Sequence, residues 1–278
     1  MYNCQNFFMN AAQLLFDKIW KDYTQHNPEV KRIYDLFVNL GETITNDHIA
    51  FRTFNDPRVN IDVLSKVFID VGYVFKGEYY FKEKHLYAKH FEMQHFIDAP
   101  RIFISELLLE EMSSETQKLA KNCIDKIPFE VLQAPEFVFS GNSWGKPSYA
   151  QYQKLREESE YAAWLYVFGF RANHFTVSIN TLKQLDTILK VNQFLKDNGF
   201  ELNDSGGEVK GCPSDLLEQS STKASLSDID FEEGTFEIPT SYYEFAKRYP
   251  DNSGKLYGGF IAQSADKIFE STNFYKKD

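Results

Sequence analysis

Two histidines and one late glutamate are the residues of this 278-residue sequence that point most directly to chemistry. His48 opens the segment HIAFRTF, and His174 opens the segment HFTVSIN. Neutral imidazole and ionised carboxylate are the forms that bind metal ions. Two imidazoles and one carboxylate on one side of an ion leave positions open for other ligands, an arrangement that suits non-haem Fe(II). The sequence therefore predicts a mononuclear metal site.

The carboxylate ligand is expected in the last strand-like segment, GTFEIPTSYYEFAKRY, residues 234–249. Side chains alternate between the two faces of a strand, so Glu244 and Arg248 share one face. Glu237 lies in the same extended run, before Pro239, and stays open as the alternative third ligand. We expect Glu244 to be the ligand.

Arg52 follows His48 by four residues on the same predicted strand face. A guanidinium group at this position can bind a carboxylate through two hydrogen bonds. The alternative is a surface salt bridge. Because Arg52 is so near a proposed metal ligand, we expect it to bind substrate.

Three further histidines, His85, His90 and His95, lie close together in the sequence and form a second candidate group of metal ligands. Their five-residue spacing places neighbouring members on opposite faces of a strand. We therefore interpret them as ordinary residues and not as metal ligands.

The two histidine segments begin two similar stretches of chain. Gly72 lies 24 residues after His48, and Gly199 lies 25 residues after His174. In each stretch a strand is followed by an amphipathic helix, predicted over 60–72 and over 181–199, that ends at the glycine, a common helix-terminating residue. Further strand-like segments follow at 73–81, 85–93 and 101–109, and in the second stretch around 200–210, 216–226 and 234–249. The pattern predicts one β-α-β-β-β module used twice.

The rest of the chain reads as additional helical structure around these modules. We expect a single compact unit over residues 1–278, in which the polar strand faces line a cavity. Its predicted parts are N-terminal helices (1–45), a first module (46–112), a helical insertion (113–170), a second module (171–250) and a C-terminal tail (251–278).

Composition limits the classes of partner. Aromatic residues make up 16% of the sequence, which is typical of a folded globular protein. The net charge of -10 disfavours nucleic acid and anionic membranes as partners. Three widely spaced cysteines predict no disulfide framework, and the sequence shows neither a signal peptide nor a long apolar span. We expect a soluble cytoplasmic protein, either a monomer or a homodimer.

Five segments resemble one family closely. They are NDHIAFRTF, RANHFTVSIN, GGEVKG with LLEQSSTKA, YYEFAKRYP and QSADKIFESTN. Together they resemble the 2-oxoadipate dioxygenase/decarboxylase family over about residues 10 to 275. The resemblance implies an α+β fold in which two vicinal-oxygen-chelate-like βαβββ modules form a curved sheet around a metal cavity, with N-terminal and inserted helices.

The same resemblance implies roles for individual residues. It assigns Fe(II) to His48, His174 and Glu244. It also assigns substrate contacts to Arg52, which would take part in catalysis, and to Ser264 near the C-terminus. No separate organic cofactor is implied, because the substrate carries its own oxo acid.

The implied reaction converts 2-oxoadipate, or a similar small 2-oxo dicarboxylic acid, with O2 to 2-hydroxyglutarate and CO2, in lysine catabolism. Two other functions stay open on the same scaffold. One is a metal-dependent isomerase or lyase of the glyoxalase type, which would need no oxygen. The other is a non-catalytic module that sequesters a ligand, although such a module would need neither histidine.

Overall fold

The computed structural model describes residues 2–94, 96, 98–261 and 267, with the backbone alone for residues 2–9. These residues belong to two compact units. One takes its residues from 1–25, 50–173 and 227–238, and the other from 26–49, 174–226 and 239–278. We call them the first and the second unit. The module boundaries predicted from the sequence stay a prediction.

Groups of consecutive helices and groups of consecutive strands follow one another along the described chain. The α-helices are α1 (Tyr2–His26), α2 (Pro28–Asn39), α3 (Ile61–Leu64), α4 (Lys66–Asp70), α5 (Ser114–Asp125), α6 (Phe129–Gln133), α7 (Tyr149–Glu158), α8 (Glu160–Phe168) and α9 (Ile188–Asp197). The strands are β1 (Asn46–Phe54), β2 (Tyr73–Phe81), β3 (Leu86–Met93), β4 (Arg101–Leu107), β5 (Ala172–Ser178), β6 (Lys210–Cys212), β7 (Leu217–Ser221), β8 (Leu226–Phe231), β9 (Gly234–Pro239) and β10 (Glu244–Arg248).

The first unit contains an antiparallel sheet. Strand β3 pairs with β2 on one side and with β4 on the other, and both pairings are antiparallel. Residues 50–54 of β1 and most of the β8–β9 hairpin also belong to this unit. The helices between β4 and β5 belong here too, in the stretch predicted as a helical insertion.

The second unit places β10 between two strands. Strand β10 runs parallel to β5, with Glu244 opposite Thr176, and antiparallel to β7, with Ala246 opposite Gln219. Strand β6 then pairs antiparallel with β7. This register fixes which side chains lie beside Glu244.

The helices of the second unit cover the apolar side of β10. Val30, Ile33 and Phe37 of α2 are buried at helical spacing. The Phe37 ring lies 5.5 Å from that of Phe194 in α9 and 5.8 Å from that of Phe245 in β10. Since neighbouring residues of a strand point to opposite faces, Glu244 points away from this helix layer.

The two predicted glycine stops are confirmed. Gly72 and Gly199 follow α4 and α9 with φ angles of 101° and 82°, in the left-handed region that favours glycine. Their amide groups donate to the carbonyl oxygens of Ile69 and Lys196.

Several element boundaries predicted from the sequence were wrong. The helix predicted for 60–72 is two short helices, α3 and α4, and the helix predicted for 181–199 is α-helical only over α9. The strand expected around 200–210 is reduced to β6. The single run predicted over 234–249 is two strands, β9 and β10. The break follows Pro239, which lacks the amide hydrogen that a continuing ladder needs. None of the described helices combines the length and the apolar character needed to cross a membrane.

Candidate metal centre

His48, His174 and Glu244 converge in the second unit. One ligand atom from each lies within 4.8 Å of the others. His48 Nε2 is 3.4 Å from Glu244 Oε1, and His174 Nε2 is 3.2 Å from Glu244 Oε2. The three residues are only 2%, 4% and 1% exposed, respectively. Two imidazole nitrogens therefore face the two oxygens of one buried carboxylate.

The strands explain this convergence. His174 lies on β5 two residues before Thr176, which is the register partner of Glu244 on β10. Residues two apart on a strand share a face, so His174 and Glu244 lie on the same side of this strand pair. His48 comes from residues 46–49 of β1, which belong to the same unit.

These three side chains fit a metal ion. Metal bonds to histidine nitrogen and carboxylate oxygen are about 2.0–2.2 Å long, so two ligands of one ion are at most about 4.4 Å apart. The distances of Glu244 from His48 and His174 lie below that limit. A donor set of two nitrogens and one oxygen with further positions open is the set used by non-haem Fe(II) oxygenases.

Asp47 orients His48. Its Oδ1 lies 2.8 Å from His48 Nδ1. Arg248 donates to the same carboxylate, from Nε to Oδ2 at 2.6 Å and from Nη2 to Oδ1 at 2.9 Å. Burial raises the pKa of Asp47, but the charge of Arg248 and the hydrogen bonds from His48 and Arg248 outweigh it and hold that pKa well below its usual range. An ionised Asp47 only accepts hydrogen bonds, so His48 Nδ1 carries a proton, and Nε2 is the ring nitrogen that faces Glu244 and can bind an ion when the imidazole is neutral.

Arg248 also holds the chain that follows β10. Its Nη1 donates to the carbonyl oxygens of Tyr257 at 2.8 Å and Gly259 at 2.7 Å. The Phe260 ring packs edge to face on His48, with 4.8 Å between ring centroids. The Arg248 guanidinium lies 5.3 Å from that same phenyl ring. One buried arginine thus fixes both the carboxylate partner of His48 and the segment that covers its imidazole.

Glu244 and His174 have supporting contacts of their own. Gln219 Nε2 donates to Glu244 Oε1 at 2.6 Å. Burial raises the pKa of Glu244, and the two histidines together with the hydrogen bonds from His174 and Gln219 outweigh it, so this pKa is lowered. The Tyr242 ring stacks on His174 at 4.6 Å and an interplanar angle of 25°. The carboxylate is therefore in the ionised form that binds metal.

The other predicted site residues are found in different settings. Glu237 is exposed on β9, so Glu244 is the glutamate that completes the cluster. Arg52, in the first unit, is 2% exposed and lies 4.9 Å from the Tyr161 ring and 5.1 Å from the Trp164 ring. Ser264 lies outside the described residues.

His85 and His90 have ordinary partners in the first unit. His85 is partly exposed and lies 2.7 Å from Glu111, and His90 is buried and lies 2.9 Å from the Tyr79 hydroxyl. In the described part of the chain, neither belongs to a group of three possible metal ligands. His95 falls outside that part.

Sequence reasoning missed the groups that support the cluster. Asp47 directly precedes His48, and Arg248 shares a predicted face with Glu244, so both were visible as neighbours of ligands. Gln219 and Tyr242 carried no comparable signal, because their roles depend on the pairing of β7 and on the packing around His174.

The chain matches known proteins over most of its length. The model of the 2-oxoadipate dioxygenase/decarboxylase family matches residues 15–255. The rice protein named 2-oxoadipate dioxygenase/decarboxylase, chloroplastic/amyloplastic, is 39% identical over 277 residues, which cover 91% of this chain and 76% of the relative.

Solved structures are similar as well. The hydroxyglutarate synthase of Oryza sativa, solved in complex with 2-oxoadipate, is 36% identical with a TM-score of 0.86, covering 99% of this chain and 94% of that one. A protein of Shewanella frigidimarina, provisionally described as a hydrolase, is 50% identical with a TM-score of 0.85, covering 90% and 98%. A glyoxalase superfamily protein of Ralstonia eutropha, 18% identical over 90% of this chain and 85% of that one, has a TM-score of 0.73. These similarities confirm the predicted vicinal-oxygen-chelate-like α+β fold.

Proposed function

The chain belongs to the 2-oxoadipate dioxygenase/decarboxylase family, and on this basis we propose that it is an Fe(II)-dependent enzyme that oxidises and decarboxylates 2-oxoadipate or a closely similar 2-oxo acid. The relatives' names describe enzymes of the oxygenase and decarboxylase type, so the ligand-sequestering alternative is set aside.

The proposed reaction balances without a further co-reactant. 2-Oxoadipate and O2 give 2-hydroxyglutarate and CO2. The bond between the carboxyl carbon and the keto carbon breaks, and the carboxyl group leaves as CO2. The O–O bond breaks as well: one oxygen atom enters the new carboxylate, and the other is inserted into a C–H bond of the adjacent carbon, which gives the hydroxyl group.

The observation that carries the proposal is the buried cluster of His48, His174 and Glu244. These residues would hold Fe(II), which when bound would supply the electrons and open coordination positions that reaction with O2 requires. One ligand carboxylate leaves a net positive charge on the ion, and this favours an anionic 2-oxo acid.

The surrounding residues hold the proposed ligands in the protonation state and the orientation that bind a metal ion. Asp47 holds the proton on His48 Nδ1 and so leaves Nε2 free for the ion. Gln219 fixes the orientation of Glu244, and Tyr242 fixes the ring plane of His174. Their burial keeps bulk water away from the ligand atoms.

Arg52 is proposed to bind a carboxylate of the substrate and to orient it for the reaction. Its guanidinium is buried against two aromatic rings, Tyr161 and Trp164, which stabilise a cation and restrict its position. A buried guanidinium attracts a carboxylate more strongly than an exposed one, because the local dielectric constant is lower. The role of Ser264 in substrate binding, the cytoplasmic location and the place in lysine catabolism stay predictions.

An oxygen electrode tests the proposal directly. Protein purified without oxygen and loaded with Fe(II) is given 2-oxo acids of five to eight carbons. We expect rapid oxygen uptake with 2-oxoadipate, and equal amounts of CO2 and 2-hydroxyglutarate formed. Oxygen uptake that is the same with every acid, or none at all, would contradict it. Turnover without oxygen by a zinc-loaded form would instead favour an isomerase or lyase of the glyoxalase type.

A further inference from the structure

Thr176 places a hydroxyl group directly beside a candidate ligand atom. Its Oγ1 lies 3.0 Å from His48 Nε2. Thr176 is 0% exposed and is the register partner of Glu244 in the β5–β10 pairing. It also shares its face of β5 with His174, two residues earlier. The hydroxyl group therefore lies among all three candidate ligands.

The direction of this hydrogen bond follows from the partners of His48. Asp47 receives two hydrogen bonds from the Arg248 guanidinium, as an ionised carboxylate does, and it accepts the proton of His48 Nδ1. In the neutral form of His48, which is the form that binds metal, Nε2 then carries a lone pair and has no hydrogen to donate. In that form Thr176 is the donor, and it donates to the same lone pair that would bind the metal ion.

We propose that, once an ion takes the His48 Nε2 lone pair, the Thr176 hydroxyl donates instead to an oxygen of the small molecule bound at the ion. This inference rests on the proposed function. A buried hydroxyl group without an acceptor is unfavourable, because it has lost its hydrogen bonds to water and gained none in return. A replacement acceptor is therefore strongly favoured. The carboxylate and keto oxygens of a 2-oxo acid accept hydrogen bonds and cannot donate them, so they suit this hydroxyl group.

The inference predicts opposite effects on metal and on substrate when the hydroxyl is removed. Thr176→Val keeps the branched shape but has no donor. The metal affinity of this variant should equal or exceed that of the unaltered protein, because no hydrogen bond to His48 Nε2 has to break before the ion binds. Affinity for the 2-oxo acid should fall about tenfold, the usual scale for one lost hydrogen bond. A purely structural role would lower both affinities together.

Anaerobic titration calorimetry measures the two affinities separately. Fe(II) is titrated into the protein, and then 2-oxoadipate or oxalate is titrated into the Fe(II)-loaded protein. Oxalate is a small chelator whose oxygens only accept hydrogen bonds, so it tests Thr176 whatever the natural substrate is. Thr176→Ser, which keeps the hydroxyl group, should bind within about twofold of the unaltered protein for each ligand.

Thr116→Val is the matched control. Thr116 is also buried, but it lies in the first unit and its hydroxyl group donates to Glu158. This variant should change neither affinity. Thermal melting of all variants monitors folding.

The outcomes separate the inference from the proposed function. If oxalate binds and 2-oxoadipate does not, the proposed substrate is wrong, and weaker oxalate binding by Thr176→Val still supports the hydroxyl group as donor. Unchanged ligand affinity in Thr176→Val, or a parallel loss of metal affinity, would overturn the inference. Failure of the unaltered protein to bind either ligand would overturn both.

Discussion

Arg248 binds both carboxylate oxygens of Asp47, with 2.6 Å between Nε and Oδ2 and 2.9 Å between Nη2 and Oδ1. The two residues are 201 positions apart in the sequence, and both are buried. Because Asp47 also accepts the His48 Nδ1 proton, this ion pair sets the orientation of a candidate metal ligand.

We expect Asp47→Asn and Arg248→Lys to lower metal affinity by about 10- to 100-fold, the usual effect of removing the partner of a ligand histidine. Competition with a coloured chelator measures this affinity. The control is Arg171→Lys, at a half-buried arginine 3.6 Å from Asp22 in the first unit. It should lose stability without losing metal affinity.

A double variant separates stability from positioning. Asp47→Asn leaves the buried charge of Arg248 without its partner carboxylate, a change that typically costs about 3–5 kcal/mol. Asp47→Asn combined with Arg248→Met removes both charges and should recover part of the melting temperature. Metal affinity should stay low. Full recovery of metal affinity in the double variant would contradict a positioning role.

Alanine at each proposed ligand should abolish stable metal binding. His48→Ala, His174→Ala and Glu244→Ala each leave only two of three ligands, so less than about one tenth of the metal should remain. Elemental analysis of dialysed protein measures the metal content per chain. Glu237→Ala, at the exposed alternative, should retain a full complement. The ligand assignment is wrong if the results for the two glutamates are reversed.

Gln219→Leu should weaken metal binding about tenfold, because Glu244 Oε1 loses the hydrogen bond that fixes its orientation. Chelator competition again gives the affinity. Asn192→Leu is the control, since Asn192 is also a buried amide of the second unit but accepts its hydrogen bond from Ser220. Equal losses in both variants would indicate a general packing effect instead.

Arg52→Lys should raise KM for 2-oxoadipate by about tenfold or more, because lysine lacks the planar fork that binds a carboxylate through two bonds. Metal content should not change. Arg58→Lys, at an exposed arginine of the same unit paired with Asp56 and Asp125, should leave KM unchanged. An unchanged KM in Arg52→Lys, measured by oxygen uptake, would remove Arg52 from the substrate site.

Glu233 should make stability depend on pH in the acid range. Hydrogen bonds from the Ser148 hydroxyl and from the first amides of α7 lower its pKa from 4.5 to about 2. A lowered pKa in the folded state stabilises the fold above pH 4.5, and this contribution is lost as pH falls towards 2. Glu233→Gln should therefore melt at a lower temperature than the unaltered protein at pH 7, and the difference should shrink towards pH 2. Glu232→Gln, next to it and also exposed, is the matched control variant.

The sequence alone determined much of this protein. Two strands with a histidine near the start of each, followed by helices that stop at Gly72 and Gly199, indicated a repeated module, because strand alternation and helix termination are local properties of the chain. The spacing of His48 and His174 made them a matched pair for the same reason. Five matching segments then indicated the family, and with it the fold.

Only the tertiary structure decided which glutamate completes the cluster and what supports it. Glu237 and Glu244 lie in one run of strand-like residues, and local periodicity cannot reveal that the chain breaks after Pro239 and buries just the second carboxylate. Nor can it bring Arg248 to Asp47, because contacts between distant residues depend on strand pairing and packing. The sequence thus identified side chains able to bind a metal ion. The fold determined how these side chains are oriented, which of them is ionised, and that the Thr176 hydroxyl group lies beside them.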